Sequence, residues 1–355
     1  MSEFILENKT ISPDSPVYFI ADIAANHDGD IERAKDLIFL AAESGADAAK
    51  FQHFTADSIV SEKGFNDLGN QMSHQSNWSK SVFEVYKDAT LNNDWNPLLK
   101  EACKEAGITF LTSPYSFELV DKVDEFVEAY KIGSGDITWL DLIEYIASKD
   151  KPVFIASGAS NMQEVIIAIE RLQRKTKDIV LMQCNTNYTA SLENFKYINL
   201  NVLNSYRDNF PDITLGLSDH TPGHSTVLGA VSLGARVIEK HFTDNIDRIG
   251  PDHKFSMSPK TWKDMVMRTR ELEYALGSSI KIVEQNELET VVLQRRSIRL
   301  KRNIPAGKKI TMDDIEFLRP CPKEGIPPCD VSKVIGKIIK KNMFSGDLLT
   351  WKDVR

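Results

Sequence analysis

Cysteine is scarce in this sequence, and long apolar runs are missing from it. The chain of 355 residues has four cysteines, and none of them forms a CxxC pair. So few and scattered cysteines exclude a disulfide scaffold and a structural zinc site of the usual spacing. No segment reaches the roughly 18 apolar residues of a membrane span, and residues 1–20 lack the apolar core of a secretory signal. We therefore expect a cytoplasmic protein with no membrane partner.

Positive charge is also in deficit. The chain has 43 lysine and arginine residues against 51 aspartate and glutamate residues, which gives a formal net charge of −8. Nucleic acids and anionic membranes bind proteins that present a basic face. We therefore expect no nucleic-acid partner, and an anionic substrate would need a local cluster of cations.

Strand-like apolar runs alternate with helix-like segments from residue 17 to about 276. One of the helices, at 30–45, has Asp30 as its N-cap and Gly45 at its end. Eight such units over roughly 250 residues are typical of a TIM (β/α)8 barrel. A doubly wound open sheet shares the alternation, but no strand is followed by a GxGxxG turn. The eight predicted strands are 17–24, 46–52, 108–113, 129–134, 152–157, 179–184, 213–218 and 235–242.

One connection, residues 56–95, is much longer than the others. Ordinary connections within such a domain have only a few residues. We interpret this segment as a lid or rim over the barrel mouth, with a solvated insertion as the plain alternative. His74 within it is interpreted, like His27 and His53, as a structural or rim residue.

The chain changes character after about residue 278 and ends in an internal repeat. "KRNIPAGKKITMDDI" and "KKNMFSGDLLTWKDV" match at an offset of 39 residues. Two similar halves indicate a small module with pseudo-two-fold symmetry. We predict a barrel domain at 1–277, a linker with a short helix at 278–296, and a second domain at 297–355.

Polar side chains stand at the predicted carboxyl ends of nearly every strand, the face that carries the active site in TIM barrels. Because alternate side chains of a strand share a face, His220 and His241 are expected side by side. Two imidazoles so placed can bind a divalent metal and leave positions open for water or substrate. Histidine is equally common as a plain hydrogen-bonding residue. Lys240 points to the opposite face, where we expect its ammonium group to reach solvent.

Two lysines, Lys50 and Lys131, lie in otherwise apolar strands. Lysine is almost never fully buried without a partner. The two side chains are candidates for binding a phosphate or carboxylate, or for forming a Schiff base. A lysine that extends its ammonium group to solvent is the alternative. Asp22, Asp136 and Glu239 are candidate general acids or bases, and each could equally neutralise a lysine.

Several motifs, taken together, resemble the sialic acid synthase family. They are "FIADIAANHDGD", "KFQ", "AYKIGSGD", "GLSDHTPGH", "GARVIEKHFTD" and "GPDHKFSM". The last segment, with "LRPCPKEGIPP" and "GKIIKKNMFSGDLL", is similar to the antifreeze-like SAF domain, of β-clip fold, that ends those enzymes. The resemblance covers essentially the whole chain. It implies that phosphoenolpyruvate is condensed with N-acetylmannosamine or a related amino sugar.

The resemblance also implies roles for individual residues. His220 and His241 match the metal ligands, with manganese expected and magnesium or cobalt as alternatives. Arg319 matches an arginine that one subunit inserts into the barrel of its partner, which implies a domain-swapped homodimer. The remaining positions that match are Lys50, Gln52, Lys131 and Ser134 for phosphoenolpyruvate, Ser113 and Ser218 as further phosphate contacts, and Tyr188 and Asp252 towards the sugar. Asn185 is a further candidate for substrate binding.

The sequence departs from the family pattern at several of these positions. Asp22 and Asp136 stand where family members usually have glutamate, and the shorter side chain would displace an acid–base group from its substrate. "QCNTNYTAS" departs as well, so the sugar is left open, with legionaminic and pseudaminic acid synthases as alternatives. A Schiff-base aldolase that uses Lys131 is a second class. A non-catalytic binding protein that relies on the C-terminal repeat is a third.

Overall fold

The computed structural model describes residues 3–70 and 73–355, apart from the side chains of Ser73 and Asn77. The chain divides into two compact units, Met1–Gly277 and Ser278–Arg355. In chain order the strands are β1 Phe4–Leu6, β2 Lys9–Ile11, β3 Tyr18–Asp22, β4 Ala48–His53, β5 Thr109–Pro114, β6 Tyr130–Ile132, β7 Val153–Ala156, β8 Ile179–Cys184, β9 Thr214–Asp219, β10 Val237–His241, β11 Ser297–Leu300 and β12 Ile315–Leu318.

The helices of the first unit follow its strands and surround them, and the last two helices in chain order belong to the second unit. The first of them begins after Asp30, whose carboxylate accepts a hydrogen bond from the Glu32 amide at 2.9 Å, and it ends before Gly45 at φ +92°. The helices are α1 Ile31–Glu43, α2 Ala56–Ile59, α3 Glu62–Asp67, α4 Val82–Asp88, α5 Asn96–Ala106, α6 Phe117–Val123, α7 Leu140–Ala147, α8 Met162–Gln173, α9 Val202–Asn209, α10 Ser225–Ser232, α11 Pro259–Leu276, α12 Leu288–Gln294 and α13 Val331–Val334.

Strands β3 to β10 form a closed parallel barrel in sequence order, with β10 paired to β3. Closure confirms the predicted TIM barrel and excludes the open sheet, which would leave two edge strands unpaired. The eight predicted strands correspond to the eight observed ones. Several are shorter than predicted: the first spans Tyr18–Asp22, not 17–24, and the fourth spans Tyr130–Ile132, not 129–134.

The barrel has two apolar layers, one inside and one between the strands and the helices. The inner layer includes Ile20, Phe154 and Val237, which are fully buried. Because Val237 faces inward, Glu239 and His241 on the same strand do so too. The hairpin β1–β2, absent from the predictions, adds Phe4 to this inner layer. Fully burying a side chain of this size contributes about 1.5–3 kcal/mol.

The long connection 56–95 contains helices α2, α3 and α4 and short 3-10 turns. Helix α4 begins in a capping box: the Ser81 amide donates to Glu84 Oε2 at 2.9 Å, and the Glu84 amide donates to Ser81 Oγ at 3.3 Å. Gln71 and Met72 lie outside the described residues. The connection is therefore largely built of short helices rather than an extended strap.

The second unit has its own core and confirms the predicted SAF fold. Residues one repeat apart, Ile304 and Met343, form an antiparallel bridge, so equivalent positions of the two halves contact each other. Asp314 and Asp353 are a second equivalent pair. Each accepts hydrogen bonds from the amide and hydroxyl of a threonine three residues earlier. Among the helices that the structure describes, none is long and apolar enough to cross a membrane.

Candidate active site

Strand register brings Lys50, Asp22 and His241 side by side at the carboxyl end of the barrel. In the strand register, Asp22 on β3 is the partner of His241 on β10 and of Lys50 on β4. Lys50 Nζ lies 2.7 Å from Asp22 Oδ2, and His241 Nε2 lies 3.5 Å from the same oxygen. The Lys50 and Asp22 side chains are only 2% and 4% exposed. The three side chains form one buried row.

A second buried ion pair lies at the same end of the barrel. Lys131 Nζ on β6 donates to Glu239 Oε1 on β10 at 2.9 Å, and Ser218 Oγ donates to the same oxygen at 3.0 Å. Burial opposes ionisation of Glu239, but Lys131 and Lys50 outweigh it and lower the pKa of Glu239 to about 2. Glu239 is therefore a carboxylate at neutral pH. This geometry favours the alternative that Glu239 neutralises a lysine over a role in proton transfer.

In the Lys50–Asp22 pair, burial and the neighbouring charges have opposing effects on both pKa values. Burial disfavours the ammonium of Lys50, but Asp22 and Glu239 raise its pKa above the ordinary value. Burial also raises the pKa of Asp22, against the attraction of Lys50. Lys50 is thus held as a cation inside the barrel. A substrate anion would contact it at the cost of its bond to Asp22.

Two neutral imidazoles stand next to these pairs. The ring centroids of His220 and His241 are 5.4 Å apart. Burial lowers the pKa of His220 to about 3 and that of His241 to about 4, so neither ring carries charge at neutral pH. His220 Nδ1 lies 2.9 Å from the carbonyl oxygen of Asn185. A carbonyl only accepts, so Nδ1 carries the proton and Nε2 keeps its lone pair.

Several buried polar atoms here have no hydrogen-bond partner among the described residues. Native proteins leave few buried polar groups unsatisfied, so such a cluster indicates a place that a ligand, ion or water completes. The atoms at this end of the barrel are Asp22 Oδ1, Asn26 Oδ1, Ser113 Oγ, Glu239 Oε2 and His241 Nδ1.

The stretch after β6 places Ser134 and Asp136 in a single 3-10 turn. Ser134 Oγ accepts a hydrogen bond from the Gly158 amide at 2.9 Å. A Cβ atom on Gly158 would lie 2.8 Å from Ser134 Oγ and 3.1 Å from Cys184 Sγ, so only glycine allows this approach. Burial raises the pKa of Asp136 to about 6. Asp136 is thus a carboxyl group whose proton exchanges near neutral pH.

Gln52 and Ser113 are register partners on β4 and β5, so they lie beside each other on the inner face. Asn185 takes part through its main chain: its carbonyl oxygen holds His220, and its side-chain amide donates to the Tyr197 carbonyl at 3.3 Å.

Cys184 was not singled out from the sequence. Its buried thiol has a raised pKa and stays protonated.

An aromatic wall borders the imidazoles on the side of a larger outer space. The ring of Tyr188 packs 4.5 Å from that of His220 and 5.2 Å from that of Phe255, centroid to centroid. Phe255 in turn packs 4.8 Å from His241. Asp252, in the same loop as Phe255, accepts a hydrogen bond from the Ala25 amide at 3.1 Å, and burial raises its pKa. Tyr188 and Asp252 are thus brought to the barrel mouth.

Beyond this wall lies a cavity of about 1130 Å³, as large as typical small-molecule sites or larger. Tyr188 and Phe255 form its inner side, and Trp78 from the long connection lines another side. The loop after β10 contributes Arg248. The part of the long connection from His74 to Ala89 therefore contributes to the rim of the mouth. His74 packs edge-on against Tyr188 with centroids 5.1 Å apart, which fits its interpretation as a rim residue.

A clasp of charged residues that the sequence analysis missed joins the loop after β3 and the start of α1 to the loop after β10. Arg33 donates two hydrogen bonds to the carboxylate of Asp244, at 2.9 and 2.7 Å. His253 Nε2 lies 2.9 Å from Asp28 Oδ1, and its Nδ1 lies 2.8 Å from Thr243 Oγ1. The clasp fixes the loop that carries Asp252 and Phe255. The motifs "NHDGD" and "PDH" were the available signal for Asp28 and His253.

The expectation for Lys240 was wrong. Its side chain is 1% exposed, and it is ion-paired with Asp219 and donates to the Thr221 carbonyl at 2.6 Å. Asp219 also accepts a hydrogen bond from Thr226 Oγ1 on α10 at 2.7 Å. Helix α10 thus covers this part of the outer face of the barrel, so the ammonium group is neutralised in place rather than reaching water.

Two other histidines have structural roles within the barrel unit, as expected. His53 is held between Thr112 Oγ1 and Asn96 Oδ1, at 2.7 Å from each. His27 Nδ1 accepts a hydrogen bond from the Gly29 amide at 3.0 Å. Arg319 belongs to the second unit, where Nε donates to the Gln294 carbonyl at 2.7 Å. Its insertion into a partner's barrel stays a prediction.

Comparison with known proteins adds a family to this geometry. The model of the NeuB family matches residues 37–281, and that of the SAF domain matches residues 295–355. The chain is 36% identical to an N,N'-diacetyllegionaminic acid synthase of Legionella pneumophila, over 95% of this chain and 94% of that one. It is 32% identical to the human N-acetylneuraminate-9-phosphate synthase, over 94% of this chain and 91% of that one.

A solved structure agrees with the sequence matches. The N-acetylneuraminic acid synthetase of Leptospira borgpetersenii, crystallised with citrate, superposes with a TM-score of 0.71 at 27% identity. The match covers 82% of this chain and 95% of that one. The two family models match this chain one after the other, and the two relatives are similar to it over nearly its whole length. The chain belongs to the NeuB family of sugar-acid synthases and is an enzyme.

Proposed function

We propose that this enzyme condenses phosphoenolpyruvate with the open-chain aldehyde of an N-acylated amino sugar. The products are a sialic-acid-like 3-deoxy-2-keto sugar acid and phosphate. The relatives named above make sugar acids of this kind, but they differ in the sugar. One observation supports the proposal most: two buried lysine–carboxylate pairs lie beside two neutral imidazoles, with unsatisfied oxygens between them.

The phosphoenolpyruvate half of the site is assigned to the two lysines and the serines around them. Lys50 and Lys131 would bind the phosphate and carboxylate groups as point charges, and buried cations bind anions more strongly than exposed ones do. Ser113 offers a buried hydroxyl with no partner among the described residues. Ser134, Ser218 and Gln52 would add hydrogen bonds from the neighbouring strands.

A divalent metal, most simply Mn²⁺, fits His220 and His241. The rings are neutral, and His241 Nδ1 is buried without a partner in the described part of the chain. The described residues contain no group of three or more acidic, histidine or cysteine side chains arranged as a metal site, so substrate or water would complete the coordination. The charges of the two ion pairs cancel, so a bound anion needs added positive charge. A metal ion would supply that charge and polarise the aldehyde.

The chemistry that follows uses the side chains already in place. C3 of phosphoenolpyruvate forms a bond to the aldehyde carbon, and the aldehyde oxygen takes up a proton. Water adds at C2 with loss of a proton, and the C2–O bond to phosphate then breaks to leave the ketone. Lys50 and Lys131 stabilise the negative charge that moves onto phosphate and carboxylate. Asp136, with a pKa of about 6, is suited to exchange the proton of the water.

The Tyr188 and Asp252 side of the mouth would hold the sugar. The cavity beyond Tyr188 has room for a hexose with an acyl group. Asp252 can accept hydrogen bonds from sugar hydroxyls, as its Oδ2 already does from the Ala25 amide. Asn185 would act through His220, which its carbonyl oxygen orients.

Phosphate release measured with phosphoenolpyruvate, Mn²⁺ and a panel of N-acylated amino sugars tests the proposal. The expected result is release that requires both a sugar and a divalent metal and is abolished by EDTA. Release without a sugar, or no release with any sugar, would overturn it. A Schiff-base aldolase would instead be trapped on Lys131 by borohydride and would resist EDTA. The ion pair of Lys131 with Glu239 argues against this, because a nucleophilic lysine must be unprotonated.

We also propose a homodimer in which Arg319 of each subunit completes the site of the other. Mixing two inactive variants, Arg319→Ala and His241→Ala, tests this directly. A mixed dimer has one site with both residues intact, so activity should reappear on mixing. Activity that stays absent while mixed dimers are demonstrably formed would contradict the swap.

A further inference from the structure

The outer cavity is lined by as many acidic as basic side chains. The other lining residues are mainly aromatic or aliphatic, with Trp78, Tyr188 and Phe255 as the large ones, and they also include His74, Ser79 and Thr189. Gln71 and Met72, outside the described residues, carry no charge in the sequence. The charged lining residues in the described part are the cations Lys80, Arg248 and Lys254 and the carboxylates Asp28, Asp88 and Asp247.

Two of the three cations are already paired. Lys80 forms an ion pair with Asp88 across the ends of α4. Arg248 lies 3.5 Å from Asp28 Oδ2 and 3.4 Å from Asp244 Oδ1, within the clasp that joins the two loops. A phosphate group bound here would have to displace these carboxylates, and it would meet their negative charge at short range.

The last two charges, Lys254 and Asp247, are both exposed and opposite in sign. At the beginning of α4, the amide of Ser81 already donates to Glu84 Oε2. Proteins that bind a phosphate group usually aim arginine, lysine or free backbone amides at it. Among the described side chains that line this cavity, Lys80 and Arg248 are already paired with carboxylates, so no cluster of unpaired cations is present.

We infer that the acceptor sugar of this enzyme is uncharged: an N-acylated amino sugar without a phosphate group. The inference rests on the proposed function and narrows it. The relatives pose this choice, since the human one is named for a 9-phosphate product and the Legionella one is not. A neutral sugar with acyl groups matches the aromatic walls of the cavity. It also leaves the ion pairs of Lys80 and Arg248 intact. A sugar phosphate would bring a dianion into a space without net positive charge.

The test compares matched acceptors on the full-length protein with phosphoenolpyruvate and Mn²⁺. The acceptors are N-acetylmannosamine, its 6-phosphate, and a 6-deoxy-2,4-diacetamido hexose that cannot carry a phosphate at C6. We expect kcat/KM for the better neutral sugar to exceed that for the 6-phosphate by about 100-fold, because the phosphate would lie near carboxylates without a cluster of unpaired cations to neutralise it.

Variants that change charge give a second readout. Asp247→Lys changes the charge of the cavity wall by two units and should narrow the preference for the neutral sugar by about tenfold. Glu105→Lys, on the exposed face of α5, makes the same change of net charge elsewhere and should leave the preference unchanged.

The outcomes separate the inference from the proposed function. Turnover of the 6-phosphate as fast as the neutral sugars, or faster, would overturn the inference and leave the synthase reaction standing. No turnover with any of the three sugars, together with none across the wider panel, would overturn both. If Asp247→Lys and Glu105→Lys change the preference for the neutral sugar equally, the charge of the cavity wall does not determine that preference.

Discussion

Replacement of Asp136 by asparagine should stabilise the barrel at neutral pH. Burial raises the pKa of this carboxyl group from 3.8 to about 6. The folded protein therefore holds the proton more tightly than the unfolded chain does. The stability that this proton contributes is complete below pH 3.8 and is lost as the pH rises through 6. A shift of about 2 pH units corresponds to about 3 kcal/mol.

Urea unfolding of wild type and Asp136→Asn at pH 5 and pH 8 measures the effect. The variant lacks the ionisation, so its advantage in free energy of unfolding should grow from pH 5 to pH 8 and approach about 3 kcal/mol. Its kcat should fall, because the amide cannot exchange the proton. Asp208→Asn, on the exposed side of α9, is the control and should show no such trend. An advantage that is independent of pH, or a less stable variant at pH 8, would refute the reasoning.

Three further predictions concern the buried pairs and the clasp. Lys240→Met leaves the buried carboxylate of Asp219 unpaired and should lower the free energy of unfolding by about 3–5 kcal/mol. The double variant with Asp219→Asn should recover most of this lost stability. No recovery in the double variant would contradict the pairing. His241→Ala should abolish Mn²⁺ binding in calorimetry and lower kcat by at least about 100-fold; unchanged metal binding would remove this histidine from the site. Arg33→Ala frees the loop beyond Asp244 and should raise KM for the sugar far more than KM for phosphoenolpyruvate; equal increases would contradict a local role.

The alternation of side chains along strands made much of the barrel mouth predictable. Parity placed Glu239 and His241 on one face, and the adjacent strand brought His220 next to them. The two lysines in apolar strands were expected to have a task, and each is buried against a carboxylate. These inferences needed only local patterns and the strand order of a closed barrel.

Features that depend on distant residues were not predictable in the same way. Lys240 was expected in solvent, but α10 covers that face and Asp219 neutralises the charge. The clasp joins Arg33 to Asp244, which is 211 residues further along the chain, and no local pattern announces such a pair. In the sequence, Cys184 looks like an ordinary apolar strand residue, and only the structure places it beside Gly158 and Ser134.

The most direct test of the central claim follows the bridging oxygen of phosphoenolpyruvate. In the proposed reaction the bond between C2 and this oxygen breaks, so the oxygen leaves with phosphate. With phosphoenolpyruvate labelled with ¹⁸O at the bridge and a neutral N-acylated amino sugar, mass analysis should find the label in the released phosphate, in step with sugar-acid formation. Unlabelled phosphate would mean that the P–O bond breaks, and it would contradict the proposed chemistry.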